Sequence, residues 1–217
     1  MKKSISLKLL LFVAMFVGNI QCRKQFQPVI TAPGAPGLAK SSAVAATIIY
    51  TDLNPDVTKI CNQYNTPQTF NLDLNKDGTI DFQIGGYANH ISFNLSVGVA
   101  ISSLNTNKVA CGSLPPDSLP LAMNPGTAIS SNLNWVNVKQ PLGMVLRAYH
   151  SPNIHWWGNW TDSTDHYLGL KIIKGSNTYY GWVRLSVSVT AGQSSVTIKD
   201  YAYNSTPNQQ ILAGQTK

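Results

Sequence analysis

The chain has 217 residues, with 16 Lys and Arg against nine acids and a formal net charge of +7. That length admits one domain with a sizeable core behind a leader segment. The basic residues are scattered singly, with no run and no helical stripe, which excludes the clustered footprint of a nucleic-acid-binding protein.

Residues 1–21 have the layout of an export signal: Lys2, Lys3 and Lys8 precede or flank an apolar run over 9–17. The run is too short to span a bilayer as a stable helix. Cys22 follows Gly-Asn-Ile-Gln, as in a bacterial lipoprotein signal, so lipidation of Cys22 is the expectation, with simple secretion as the alternative. Gln21 departs from that pattern, standing where a small residue is usual. A lipid anchor implies an outer-membrane or periplasm-facing protein. Residues 22–43, rich in Pro, Gly, Ala and Ser without periodicity, read as a flexible tether. The body of the protein is then 44–217.

A strand is expected at 44–50. Cys61 and Cys111 remain as a pair once Cys22 is lipidated, and in an oxidising compartment they are expected to form a disulfide, two separate buried thiols being the alternative.

Residues 73–81 read Asp-Leu-Asn-Lys-Asp-Gly-Thr-Ile-Asp, and three of the nine acids fall inside this window. Asp73, Asn75 and Asp77 place side-chain oxygens at alternate positions. Gly78 permits a backbone reversal, Thr79 offers its carbonyl and Asp81 adds a carboxylate. Hard oxygen donors at this spacing suit Ca²⁺. An EF-hand would place a bidentate Glu at loop position 12, which here is Ile84, and the whole chain lacks Glu. The flanks alternate with a period of two (Phe70, Leu72, Leu74 before; Ile80, Phe82, Ile84 after), so the loop belongs at the tip of a β-hairpin. An acidic Asn/Asp/Gly turn with no ion is the plainer reading.

From Ile91 to Ile101 apolar and small or polar residues alternate without a miss, predicting one long half-buried strand over 90–102. The segment 102–140, with Pro115, Pro116, Pro120 and Pro125, is the hardest to place. Further strands are expected at 142–149, 166–173, 183–189, 194–203 and 209–213, separated by turn-forming clusters such as Gly175-Ser176-Asn177. Many short strands without a 3.6-residue period give an all-β protein, an antiparallel two-sheet sandwich of jelly-roll or lectin-like type.

Three of the five tryptophans lie in His155-Trp156-Trp157-Gly158-Asn159-Trp160. Exposed, these rings could stack on sugars while His155 and Asn159 bond hydroxyls. Buried, they would plug one end of the sandwich. Asp162, Asp165 and His166 are the only local acid–base group that suggests hydrolysis. His150 and His155 flank a strand end but have no third metal ligand in view. No nucleophile elbow or phosphate-binding glycine loop is present, and a His-Glu-x-x-His zinc motif is impossible without Glu.

Ile49-Tyr50-Thr51-Asp52-Leu53-Asn54-Pro55-Asp56, the 72–82 loop, Tyr180-Gly181-Trp182-Val183-Arg184-Leu185 and Lys199-Asp200-Tyr201-Ala202-Tyr203 together resemble a group of uncharacterised exported bacterial proteins of Bacteroidota type. The likeness covers most of 48–214. It implies an extracytoplasmic β-rich domain with a calcium loop, and no activity. The expected function is an exported, calcium-stabilised, non-catalytic binding or cell-envelope module, its partner a glycan or an envelope protein. A carbohydrate-binding domain using the tryptophan loop and a glycan-active hydrolase are the alternatives.

Overall fold

A computed structural model of the chain describes residues 47–62, 67–91, 94–112, 118–137, 144–150, 155–160, 162–190 and 192–217. The expected signal, tether and Cys22 lie outside the described residues. Every regular element among the described residues is a β-strand, as expected. Thirteen strands run in chain order: β1 (Ile48–Asn62), β2 (Thr69–Leu72), β3 (Phe82–Ile91), β4 (Asn94–Ser103), β5 (Lys108–Cys111), β6 (Ala128–Ile129), β7 (Asn134–Val136), β8 (Met144–His150), β9 (His155–Trp157), β10 (His166–Lys174), β11 (Asn177–Val189), β12 (Gln193–Asn204) and β13 (Ile211–Leu212). They form a six-stranded sheet in the order β1-β12-β11-β10-β5-β7, a five-stranded sheet in the order β2-β3-β4-β8-β9, and a small β13-β6 pair. All pairings in the register are antiparallel.

The two large sheets pack face to face because each contributes one apolar row per strand. Phe82, Ile84, Val99 and Ile101 come from the five-stranded sheet, and Leu168, Leu170, Val183, Leu185, Val187, Val196 and Ile198 from the six-stranded one, all in one buried cluster. Burial of such side chains contributes roughly 1.5–3 kcal/mol each relative to exposure. Gly86 marks a close approach of the layers, since a Cβ there would lie 2.4 Å from the Cβ of Cys61 in β1. The six-stranded sheet has a second core on its other face. Tyr180, Trp182 and Ala202 are covered there by Met123, Ile129, Ile211 and Ala213. The proline-rich stretch after residue 102 thus supplies β5 and β7 to the sheet and β6 to its cover.

Three expectations are corrected. The predicted strand over 90–102 is two: Ile91 ends β3 and β4 begins at Asn94, with a hairpin between them. The core-facing residues are even-numbered in β3 (Phe82, Ile84) and odd-numbered in β4 (Val99, Ile101), so the parity changes between the two strands and the unbroken apolar alternation from Ile91 does not mark one face of one strand. β1 extends to Asn62, far beyond 50. Asp52, Asn54, Pro55 and Asp56 have turn character, but β1 lies at the sheet edge, where proline is tolerated, and the register shifts between Asp52 and Val57 to absorb them.

The third correction concerns the cysteines, which are free and buried. Cys61 lies in β1 and Cys111 in β5, with β12, β11 and β10 between them. At the usual strand spacing that is roughly 19 Å across the sheet, whereas a disulfide needs Cα atoms within about 7 Å. Burial pushes the Cys111 thiol up to about 12 and moves Cys61 in the same direction. Both should therefore resist alkylation at pH 8 in the native protein, where almost no thiolate is present. In denaturant without reductant, both should label fully. Protection that only a reductant relieves would restore the disulfide.

Candidate functional site

The β2–β3 hairpin carries the acidic loop at its tip, as its flanking alternation requires. Asp73 closes the turn, accepting from Asp77 N at 3.1 Å and Gly78 N at 2.7 Å, and Asp77 Oδ1 accepts from Thr79 N at 2.9 Å. Lys76 and Gly78 hold positive φ values of 57° and 86°, the latter in a conformation that favours glycine. Asp81 differs from the other two acids. It is buried, and its carboxylate accepts from Leu74 N at 3.0 Å and Asn107 Nδ2 at 2.9 Å. Burial raises its pKa, and those hydrogen bonds oppose the shift. Asp81 therefore ties the base of the loop to the turn after β4.

The loop already meets a cation of the protein's own. Lys174, at the end of β10, ion-pairs with Asp77 Oδ2. The Asn75 amide is satisfied when its nitrogen donates to Asp73 Oδ1 at 3.1 Å and its oxygen accepts from Lys174 Nζ at 2.7 Å. Oxygens of Asn75 and Asp77 thus converge on one positive centre. Beside them Asn75, Lys174, Tyr179, Tyr203 and Ser205 line a groove of about 210 Å³. Among the described residues no three His, Cys, Asp or Glu side chains come together closely enough to hold a metal ion. A calcium ion here would need the Asn75 amide and the Thr79 carbonyl as well as carboxylates, a donor set that suits Ca²⁺ chemically.

The tryptophan stretch divides. Trp160 is fully buried in the main core and meets the His166 ring edge-on at 5.6 Å. It is a core residue, which corrects its place in the ligand-binding set. Asn159 is pinned, its amide donating to the carbonyls of Leu119 and Pro120 at 3.3 and 3.0 Å. Trp157, in the edge strand β9, is 54% exposed. The side chains of His150, His155 and Trp156 lie outside the described part. The acid–base group also disperses: His166 Nε2 pairs with Asp162 at 2.8 Å, whereas Asp165 binds Lys199 at 2.9 Å.

A second site was not singled out from the sequence. On the outer face of the five-stranded sheet lies a pocket of about 120 Å³. Gly85, Gly86 and Ala100 form its floor. Thr69, Gln83, Asn89 and Ser102 supply amides and hydroxyls, with Tyr87 and Pro67 beside them. Gly85 is required by the chain that crosses it, because a Cβ there would sit 2.4 Å from the Gln68 carbonyl oxygen. The signal was present as the polar half of the alternation over 83–89 and 96–102, which reads simply as a solvent face.

The segments behind the resemblance are neighbours: β1, β12 and β11 bring Tyr50, Asp200 and Arg184 together. Arg184 grips the buried Asp200 through Nε (2.9 Å) and Nη2 (2.7 Å), and Tyr50 donates to the same carboxylate at 2.9 Å. This satisfied cluster is structural. Asp200→Ala should destabilise by about 2–3 kcal/mol, less than a fully buried pair because Arg184 keeps a third of its surface in water. Urea unfolding measures it, and a loss under about 0.5 kcal/mol would show the pair to be ornamental.

No protein-family model, curated protein or solved structure matches the chain.

Proposed function

We propose that this protein is an exported, calcium-braced module that binds its ligand without transforming it. The observation that carries the binding reading is the lining of the pocket on the five-stranded sheet. Among the described residues its polar groups are amides and hydroxyls, with no carboxylate, imidazole, thiol or amine. Such a lining fixes a ligand by hydrogen bonds and offers no acid, base or nucleophile near neutral pH. The outer face of the opposite sheet is largely committed to its own second core.

In this reading Asp73, Asn75, Asp77 and the Thr79 carbonyl hold the calcium ion, and Asp81 anchors the loop beneath it. The ion would cross-link the hairpin tip electrostatically. Lys174 marks the position and competes for it, so calcium binding requires its ammonium to swing aside.

Export and anchoring rest on residues 1–22. A multiply acylated Cys22 would hold the membrane firmly, at about 0.8 kcal/mol per buried CH₂, and Arg23 and Lys24 would add attraction to anionic lipid. Fractionation of producing cells should recover the protein with membranes, and Cys22→Ser should release or mislocalise it. A mature N-terminus beyond Cys22, read by mass spectrometry, replaces the anchor with secretion. Protein retained in the cytosol with residues 1–21 attached contradicts export altogether.

A further inference from the structure

We propose that Lys108 and Lys171, side by side on the outer face of the six-stranded sheet, bind the phosphate group of a phosphate monoester. The site is separate from the calcium loop and from the pocket on the five-stranded sheet, and it depends on neither.

Register places the two lysines. Leu170 in β10 pairs with Val109 in β5, and Lys171 pairs with Lys108. Leu170 and Val109 are buried in the main core, so their sequence neighbours face the other way, alongside the second core. Both lysines keep part of their surface in solvent. Lys171 also pairs with Tyr180 in β11, and Ala110 pairs with Trp135 in β7. The Lys171 ammonium lies over both rings, 5.5 Å from the Trp135 centroid and 5.8 Å from that of Tyr180. The rings are themselves held: Trp135 Nε1 donates to the Ser130 carbonyl at 2.9 Å, and the Tyr180 hydroxyl is bonded to Ser131. Lys171 is therefore a positioned charge rather than a freely moving one.

No acid answers this pair among the described residues. Their ion-paired carboxylates serve other cations: Asp77 meets Lys174, Asp162 meets His166, Asp165 meets Lys199 and Arg184, and Asp200 meets Arg184. Like charges directly opposite in a sheet repel. Burial lowers the Lys171 pKa, and the charge of Lys108 lowers it further, so the repulsion is felt at the ammonium itself. A bound anion removes it.

Two ammonium groups select a dianion. A phosphate monoester carries nearly two charges at pH 7 and offers three strong acceptor oxygens. Side-chain stems about 5 Å apart on neighbouring strands let one such group accept from both lysines. A carboxylate or a sulfate ester brings only one charge. A nucleic acid would need a longer basic track than two lysines provide.

Isothermal titration calorimetry of the full chain in chelator tests the site, with glycerol 3-phosphate as the probe and methyl sulfate as the monoanionic control. A second arm compares sedimentation with phosphatidylcholine vesicles containing phosphatidic acid, whose headgroup is a phosphate monoester, and with vesicles containing phosphatidylglycerol, a diester. At least one monoester should bind about tenfold tighter than its control, and the arm that responds tells a soluble ligand from a lipid headgroup. Lys108→Gln should weaken that binding about tenfold. Lys108→Asp, which gives Lys171 a counter-ion of the protein's own, should abolish it. Neither variant should melt below wild type, because each relieves the repulsion, so lost binding is not lost folding. Silence in both arms, equal binding of monoester and control, unchanged binding in Lys108→Asp, or a lower melting temperature in that variant overturns the inference.

Discussion

Trp160→Ala should destabilise the protein by about 3–5 kcal/mol, the range for truncating a large buried aromatic. The ring is fully buried among the side chains of both sheets, so its loss leaves a void that neither sheet can close alone. The His166 ring that meets it edge-on loses its partner as well. Trp160→Phe should cost much less. Among the described residues nothing accepts a hydrogen bond from Trp160 Nε1, and removing an unpartnered buried donor recovers part of the roughly 1–3 kcal/mol it costs. Urea unfolding of the three proteins checks both statements. An alanine variant within about 1 kcal/mol of wild type would return Trp160 to the surface and reopen the loop as a ligand site.

The strand pattern was readable because period-two alternation survives in every strand with one buried face. Val183, Leu185, Val187 and Val189 are the plainest instance, all buried in one row of β11. What failed did so for local reasons. The 91–101 alternation hid a hairpin, because its apolar residues keep one parity while the core-facing parity changes between β3 and β4. The part of β1 beyond residue 50 hid behind Asn54, Pro55 and Asp56, whose turn character an edge strand with a register shift overrides. The cysteines were paired by arithmetic, and arithmetic does not report which strands separate two positions in a sheet. For the sites, the acidic loop was legible because its residues are consecutive. The pocket was not, since Thr69, Gln83, Asn89 and Ser102 are joined only by cross-strand register. Trp157 and Trp160 differ in burial for a similar reason: one stands on an edge strand and the other turns into the core three residues later.

Calcium binding carries the second large effect. A ligand that binds only the folded protein stabilises it by RT ln(1 + [L]/Kd), about 2.7 kcal/mol at a hundredfold excess over Kd. For a domain of this size that raises the melting temperature by roughly 5–10 °C. Asp77→Ala removes a carboxylate that meets the cation position and also accepts from Thr79 N, so the variant should lose the calcium response as well as some basal stability. Lys174→Met acts in the opposite sense, removing the competing ammonium and tightening calcium binding. The pair separates a metal effect from simple damage to the loop. The decisive measurement is thermal melting of the full chain across a calcium titration and in chelator. The account predicts a melting temperature that climbs with calcium, climbs at lower calcium in Lys174→Met and does not move in Asp77→Ala. Superimposable curves in excess calcium and in chelator, for wild type and Lys174→Met alike, would contradict it and leave Lys174 as the only cation the loop holds.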